Sequence, residues 1–280
     1  MINGFLLINK DSGITSSRVV QVLKKKFNLR KAGHLGTLDP MATGLLIVAV
    51  NRATKFASLF LHSEKSYRAE ITLGIQTDTD DAEGEVISSK DLNISELEVE
   101  DNLLNFVGES NQLPPNYSAL KHNGKPMYKY ARDGIKIEKK PRKISIRNIQ
   151  NISIALPTIL FDIECSKGTY IRSIARDLGI KLGCGAHLSK LIRTSQEKFL
   201  LSDASFIDDV TLENLISLEN AFKDLDSIQL NEVDGKAFLH GQPIDTDFDH
   251  TNLLRVYDSL NQFIAIGKNT SNGFKHEYLV

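Results

Sequence analysis

The sequence predicts an α+β fold with a mixed sheet at its core and a small all-β appendage at its C-terminal end. Three observations carry this reading. Strand-like and helix-like stretches alternate without the regular βαβ rhythm of a parallel sheet. The longest uninterrupted apolar run, Gly44–Val50, is seven residues long, which suits a buried strand and is far too short to span a bilayer. From about residue 227 the chain changes to short strands such as LLRVY and FIAIG between Gly and polar turns.

The elements follow in order. Residues 4–9 (GFLLIN) read as a strand and Lys10–Gly13 as a turn. Thr15 or Ser16 then caps a helix with Val19, Val22, Leu23 and Phe27 on one face and Lys24, Lys25 and Lys26 mostly away from it. Residues 44–50 form a buried strand, and YRAEITLGI after Lys65 alternates as another. Residues 76–84 are a polar turn region. Residues 92–107 carry helical spacing through Leu97, Leu103, Leu104 and Val107, and Pro114-Pro115 ends that pattern. Two strands are expected within 144–165. A helix is expected over Thr169–Leu182, with Ile171, Ile174, Ala175 and Leu178 on one face. An extended stretch over Leu188–Thr194 and a short amphipathic helix over 212–224 complete the pattern. The boundary falls near 226, dividing the chain into 1–226 and 227–280.

A chain of 280 residues buries enough surface to fold without disulfide or metal staples. Cys165 and Cys184 are its only cysteines; they suit a reducing cytoplasm and cannot form a four-cysteine zinc site. The start, MINGFLLINKDSG, has no basic region before its five-residue apolar stretch and does not read as a secretory signal. The net charge of −1 hides a segregation. Residues 114–147 hold ten Lys and Arg against two acids, a net +8, so the rest of the chain carries −9. Residues 76–101 are the counterweight, with ten acids and one lysine. A basic stretch interleaved with Tyr117, Tyr128 and Tyr130 suits a nucleic-acid backbone with bases stacking beside it; charge alone also fits a solvated lysine-rich loop.

The segment that carries chemistry is GHLGTLDPMATG, residues 33–44. No Gly-Lys-Ser/Thr closes it, so it is not a phosphate loop, and its glycine spacing is not a dinucleotide fingerprint. It offers one carboxylate, Asp39, held between Leu38 and Pro40 where it can serve as nucleophile or base; Asp before Pro is also a common turn or cap arrangement. His34 precedes it in the same loop. Asp78, Asp80 and Asp81 do not form an EF-hand, because the sixth and twelfth positions from Asp78 hold Glu83 and Ser89.

Six segments in collinear order resemble the TruB family of tRNA pseudouridine synthases: GHLGTLDPMATGLL (33–46), KSYRAEITLG (65–74), TDTDDAEG (77–84), PPNYSALKHNGKPMYKYAR (114–132), CSKGTYIRSIARDLG (165–179) and GCGAHLSKLIRT (183–194). The resemblance spans roughly residues 4–225. It implies a mixed, largely antiparallel sheet of the pseudouridine synthase type, a basic RNA-gripping insertion at about 114–147, and a PUA-like β domain at the end. It implies isomerisation of uridine 55 in the tRNA T-loop, without cofactor or metal, by a cytoplasmic enzyme. The partner it implies is the T-stem-loop of tRNA, with no membrane and no obligate protein partner. Asp39 matches the catalytic carboxylate, Tyr67 the base-stacking tyrosine, and Arg172 the arginine paired with the carboxylate. His34, Tyr170 and Leu191 match residues of the uridine pocket. Lys121, Lys125, Arg132, Lys139, Lys140 and Arg142 are the candidate backbone contacts. Asp81 matches an acidic position expected to pair with a Lys or Arg near the pocket. The sequence departs from the family at Lys10-Asp11-Ser12-Gly13, which lacks the usual proline, and at Ile192, where the family has the first of two arginines. Its tail of 54 residues is short and acidic, with Asp245, Asp247 and Asp249.

The chemistry explains these residue types. A stacked uridine must be flipped out, at a cost of roughly a few kcal/mol. An aromatic face such as Tyr67 returns about 1–3 kcal/mol by stacking. Asp39 then adds to C1′ or C6, or takes the C2′ proton; the sequence leaves these three routes open. Arg172 favours the anion against burial. Removal of the C5 proton falls to Tyr67 by the resemblance, yet a phenol with a reference pKa of about 10 is protonated at neutral pH. Two other functions remain open at this point: a tRNA-binding or folding module with the synthase fold, and a pseudouridine synthase acting on another RNA.

Overall fold

Strands with apolar residues at both parities build the centre of the molecule. The computed structural model describes residues 2–61, 63–118, 120–122, 124–135, 137–245 and 253–280, without the side chains of Lys121, His122, Tyr128 and Arg132. The main sheet contains β1 (Gly4–Lys10), β2 (Thr43–Val50), β3 (Lys65–Leu73), β4 (Gly108–Gln112), β5 (Arg142–Ala155), β6 (Thr158–Cys165) and β7 (Ala186–Gln196). Their spatial order is β1-β2-β7-β3-β6-β5-β4, with the short strand Ser205–Phe206 outside β1. Neighbours pair antiparallel except β2 with β7 and β1 with Ser205–Phe206. The expected mixed, largely antiparallel sheet is therefore present.

Period-two alternation divides the apolar residues between two faces. Leu6, Ile8, Leu46 and Val48 join a cluster covered by α1 (Ser16–Lys26), α2 (Glu96–Leu104) and α3 (Ile171–Lys181), through side chains such as Leu23, Val99 and Ile174. Phe5, Leu7, Leu45 and Ile47 face the other way, against Phe56, Phe60 and Phe222. The parallel pairing of β2 with β7 requires glycine at residue 44, whose φ is +93° and whose added Cβ would sit 2.5 Å from Arg193 O.

Several elements differ from the sequence expectation. In α1, capped by Thr15, the buried face is Ser16, Val19, Val20 and Leu23, with Val22 only half-buried. In α2 the Ser95 cap starts the helix late, and Val99 and Leu103 go inward while Leu97, Leu104 and Val107 are exposed. The expected helix over 212–224 is broken, because Ile216 leaves it to pair with Phe5 at the edge of β1. Only one turn, Leu218–Ala221, follows. The basic segment contains a hairpin of Lys121–His122 with Lys125–Pro126 and a helix Met127–Arg132. From Arg142 it runs into β5, so its last part belongs to the main sheet.

The C-terminal part forms the expected small sheet from β8 (Ser227–Gln229), β9 (Leu254–Tyr257), β10 (Phe263–Thr270) and β11 (Gly273–Leu279), in that order. It also carries α4 (Glu232–Leu239), capped by Asn231 and anchored by Phe238 stacked on Phe274 at 5.5 Å. This sheet has its own core and also packs on the main sheet, through Ile266 and through Tyr278 against Phe56 at 5.2 Å. Asp245 is described, whereas Asp247 and Asp249 lie outside the described residues. No described helix is long and apolar enough to cross a membrane.

Candidate active site

The loop between residues 34 and 43 is fastened before any ligand arrives. Lys10, at the end of β1, is fully buried, and its Nζ donates to the carbonyls of Asp11 (2.9 Å), Ile14 (2.8 Å) and Pro40 (3.1 Å). Burial lowers the Lys10 pKa to about 8, against the pull of nearby Asp39. Gly13 N also donates to Pro40 O, and Ser16 grips Leu38. Asp39 is therefore presented from a rigid turn into a cavity of about 270 Å³.

Asp39, Tyr67, Tyr170, Arg172, Leu191 and Arg193 line that cavity. Arg172, the second residue of α3, is 5% exposed. Its Nε lies 3.0 Å from Asp39 Oδ2, an ion pair without hydrogen-bond alignment. Its Nη1 lies 3.3 Å from Asp81 Oδ2 and donates to Thr79 O at 3.1 Å. Its Nη2 donates to Tyr117 O at 2.8 Å. Thr79 Oγ1 donates to Asp81 Oδ1 at 2.6 Å, which fixes the second carboxylate. One turn later in α3, Arg176 Nη1 lies 3.2 Å from Asp80. Two arginines at i and i+4 thus hold two successive aspartates, and the acidic 78–81 turn serves as a brace for the site. Desolvation raises the Asp39 pKa above the ordinary carboxylate range; Arg172 opposes this and Asp81 adds to it.

Tyr67 is 8% exposed, and burial pushes its phenol up to about 12, although Arg193 pulls the other way by charge and hydrogen bond. The two residues face each other across β3 and β7. Arg193 is fully buried, with Nε donating to Leu45 O at 2.6 Å and Nη2 to Gly36 O at 3.1 Å. It therefore ties the Asp39 loop, β2 and Tyr67 together. Tyr170 is half-buried; burial raises its phenol and a hydrogen bond with Ser118 opposes that. Buried Gln112 holds its backbone with two bonds, from Tyr170 N (2.8 Å) and to Tyr170 O (3.1 Å).

Tyr67, Tyr170, Arg172 and Leu191 join Asp39 in one cavity. His34 does not line it. It sits on the short strand Ala32–His34, opposite Val48, with Nδ1 buried and lacking a partner among the described residues. Burial and the Arg193 charge lower its pKa below the ordinary histidine value. Of the backbone candidates, Lys125 is engaged with Asp133 at 2.7 Å and Lys139 with Asn116 at 2.8 Å. Lys140 and Arg142 are exposed, and the side chains of Lys121 and Arg132 lie outside the described residues. Sequence reasoning missed Lys10, Ser16 and Arg193. Lys10 and Arg193 did leave a signal: each is a cation at the inward parity of a strand, after Leu6 and Ile8 in one case and after Leu191 in the other.

Comparison with known proteins places the chain in a family. A family model described as TruB family pseudouridylate synthase, N-terminal domain, matches residues 24–171. Models for the tRNA pseudouridylate synthase B C-terminal domain and for pseudouridine synthase II TruB, C-terminal, match 172–233 and 227–274. The tRNA pseudouridine synthase B of Francisella philomiragia is 44% identical over 278 residues, covering 95% of this chain and 91% of its own. That of Thiobacillus denitrificans is 40% identical over 274 residues, covering 95% and 92%. A chain in the crystal structure of a Cbf5-Nop10-Gar1 complex superposes with a TM-score of 0.71 at 24% identity, covering 99% of this chain and 84% of that one, a likeness of fold.

Proposed function

The chain belongs to the TruB family of pseudouridylate synthases, and we propose that it is the tRNA enzyme that converts uridine 55 of the T-loop to pseudouridine in the cavity around Asp39. The observation that carries this reading is the convergence of Asp39, Tyr67 and Arg172, far apart in the chain, on one cavity.

The flipped uracil stacks on Tyr67, with Leu191 and Tyr170 bounding the pocket. The Asp39 anion acts on the nucleoside by adding to C1′ or C6 or by taking the C2′ proton; each route requires the ionised carboxylate, which Arg172 sustains against desolvation. The N1–C1′ bond breaks, the base turns, the C1′–C5 bond forms, C5 loses its proton and N1 gains one. The high pKa of the Tyr67 phenol favours a stacking role in the resting enzyme. The exposed cations Lys140 and Arg142 meet RNA phosphates, while Lys125 and Lys139 shape the insertion that presents them. Residues 1–226 act as the catalytic unit and 227–280 as an accessory unit. Two unpaired, buried thiols suit a cytoplasmic enzyme.

The test is tritium release from unmodified tRNA labelled with [5-³H]uridine, comparing wild type with Asp39→Asn. Release by wild type, abolished in the variant and lost with a uridine 55→cytidine transcript, is the expected result. Tight, salt-sensitive tRNA binding without release would instead identify a binding or folding module. Release that survives loss of uridine 55 would point to another site or RNA.

A further inference from the structure

The basic insertion is not the only cationic region. Residues 12–63 contain eight Lys and Arg and a single acid, Asp39, a net +7. Asp39 lines the catalytic cavity, so every other Lys, Arg, Asp or Glu of this stretch is a cation. Arg18 and Lys25 line one shallow groove along α1. They are seven residues apart, two helical turns, and so share a face about 10 Å in length. Arg30, Lys31 and Lys55 line the next groove, where Lys31 and Asn51 are joined by hydrogen bonds of 2.7 and 3.1 Å. All five cations are exposed, and no described carboxylate forms an ion pair with any of them. Lys26 differs, because its Nζ donates to the carbonyls of Ile207 and Asp208.

The row has a direction. It begins at the first turn of α1, where Ser16 holds Leu38 beside Asp39. It ends beyond Val50, at the far end of β2. The eight residues of β2 span roughly 25 Å at about 3.3 Å each. The distal groove is therefore too far from the cavity to touch the nucleotides around the flipped base. A polyanion seated at Asp39 and continuing along α1 would pass over it.

We propose that Arg18, Lys25, Arg30, Lys31 and Lys55 form a second RNA-backbone contact, which grips tRNA phosphates outside the arm whose uridine enters the cavity. This rests on the tRNA reading of the catalytic site. Phosphates fit better than an acidic protein surface, because the five cations are exposed, run from the first turn of α1 to the far end of β2, and pair with no described carboxylate.

The experiment compares wild type with Arg30→Ala/Lys31→Ala/Lys55→Ala in salt titrations of binding to full-length tRNA and to the isolated T-arm hairpin. Each lost phosphate contact flattens the plot of log affinity against log salt by nearly one unit. The expected result is a full-length slope shallower by about 2–3, an unchanged hairpin slope, and an unchanged melting midpoint. The charge-keeping variant Arg30→Lys/Lys55→Arg retains the wild-type slope. An unchanged full-length slope, or equal loss on both RNAs, overturns the proposal. So does an unchanged slope accompanied by lost binding to phosphatidylserine vesicles, which would assign the patch to a membrane. Because slopes are read without turnover, a slope change in the absence of pseudouridine formation supports the patch while refuting the catalytic reading.

Discussion

Ser16 Oγ accepts a hydrogen bond from Leu38 N at 2.8 Å and donates one to Leu38 O at 2.9 Å. One hydroxyl at the start of α1 thus satisfies both backbone groups of the residue before Asp39. Ser16 is a positioning residue, fixing the direction in which the carboxylate enters the cavity.

Replacing it by alanine leaves two buried backbone groups unpaired, each at a cost of about 1–3 kcal/mol. Urea denaturation of Ser16→Ala should show a loss of roughly 2 kcal/mol or more. Steady-state kinetics should show kcat falling more than KM rises, since RNA binding surfaces are untouched. A loss of stability with kcat unchanged would mean that the clamp is structural only.

The raised Asp39 pKa gives a pH signature of definite sign. A carboxyl whose folded pKa lies above its unfolded value contributes stability at low pH and loses that contribution as pH rises through the folded pKa. Ionised Asp39 therefore works against the fold at neutral pH. Asp39→Asn should melt higher than wild type at pH 7, and the gap should close in acid. Catalysis needs the anion, so the acidic limb of kcat/KM should lie above the ordinary carboxylate range.

Tyr67 supplies a ring and a hydroxyl, and two substitutions separate them. Tyr67→Phe keeps the ring and should leave RNA affinity within about twofold, whereas Tyr67→Ala should lose the roughly 1–3 kcal/mol of a base–aromatic stack. Turnover then locates the hydroxyl. If Tyr67→Phe binds normally but releases no tritium, the phenol takes part in C5-proton removal beside Arg193, despite a pKa near 12.

Arg193 holds the Asp39 loop from below. Arg193→Met keeps much of the side-chain length but leaves Leu45 O and Gly36 O without their donor. Differential scanning calorimetry should show destabilisation of about 1–3 kcal/mol for each acceptor left buried. Gly44→Ala should be worse, because its φ of +93° and the 2.5 Å approach to Arg193 O leave no room for a methyl group.

Much of the architecture was legible along the chain because it is locally encoded. β1, β2, β3 and α3 follow from apolar periodicity, which needs only neighbouring residues. Where the fold departs from that pattern, a distant partner decides. Ile216 abandons a helical repeat because β1 has an open edge, and Leu97 turns outward because the sheet offers room only to Val99 and Leu103.

The site divides in the same way. By themselves the residues marked Asp39 as a carboxylate in a constrained loop, and the collinear motifs pointed to Tyr67, Tyr170, Arg172 and Leu191. Only the tertiary structure showed that Arg172 is shared between Asp39 and Asp81, that His34 stands outside the cavity, and that Arg193 lies under the loop. Register across β3 and β7 and the parallel crossing at Gly44 bring these groups together, and both depend on pairings between strands far apart in sequence. Periodicity tells which side of its own strand a residue takes; which buried charge it meets there is set by the strand laid alongside.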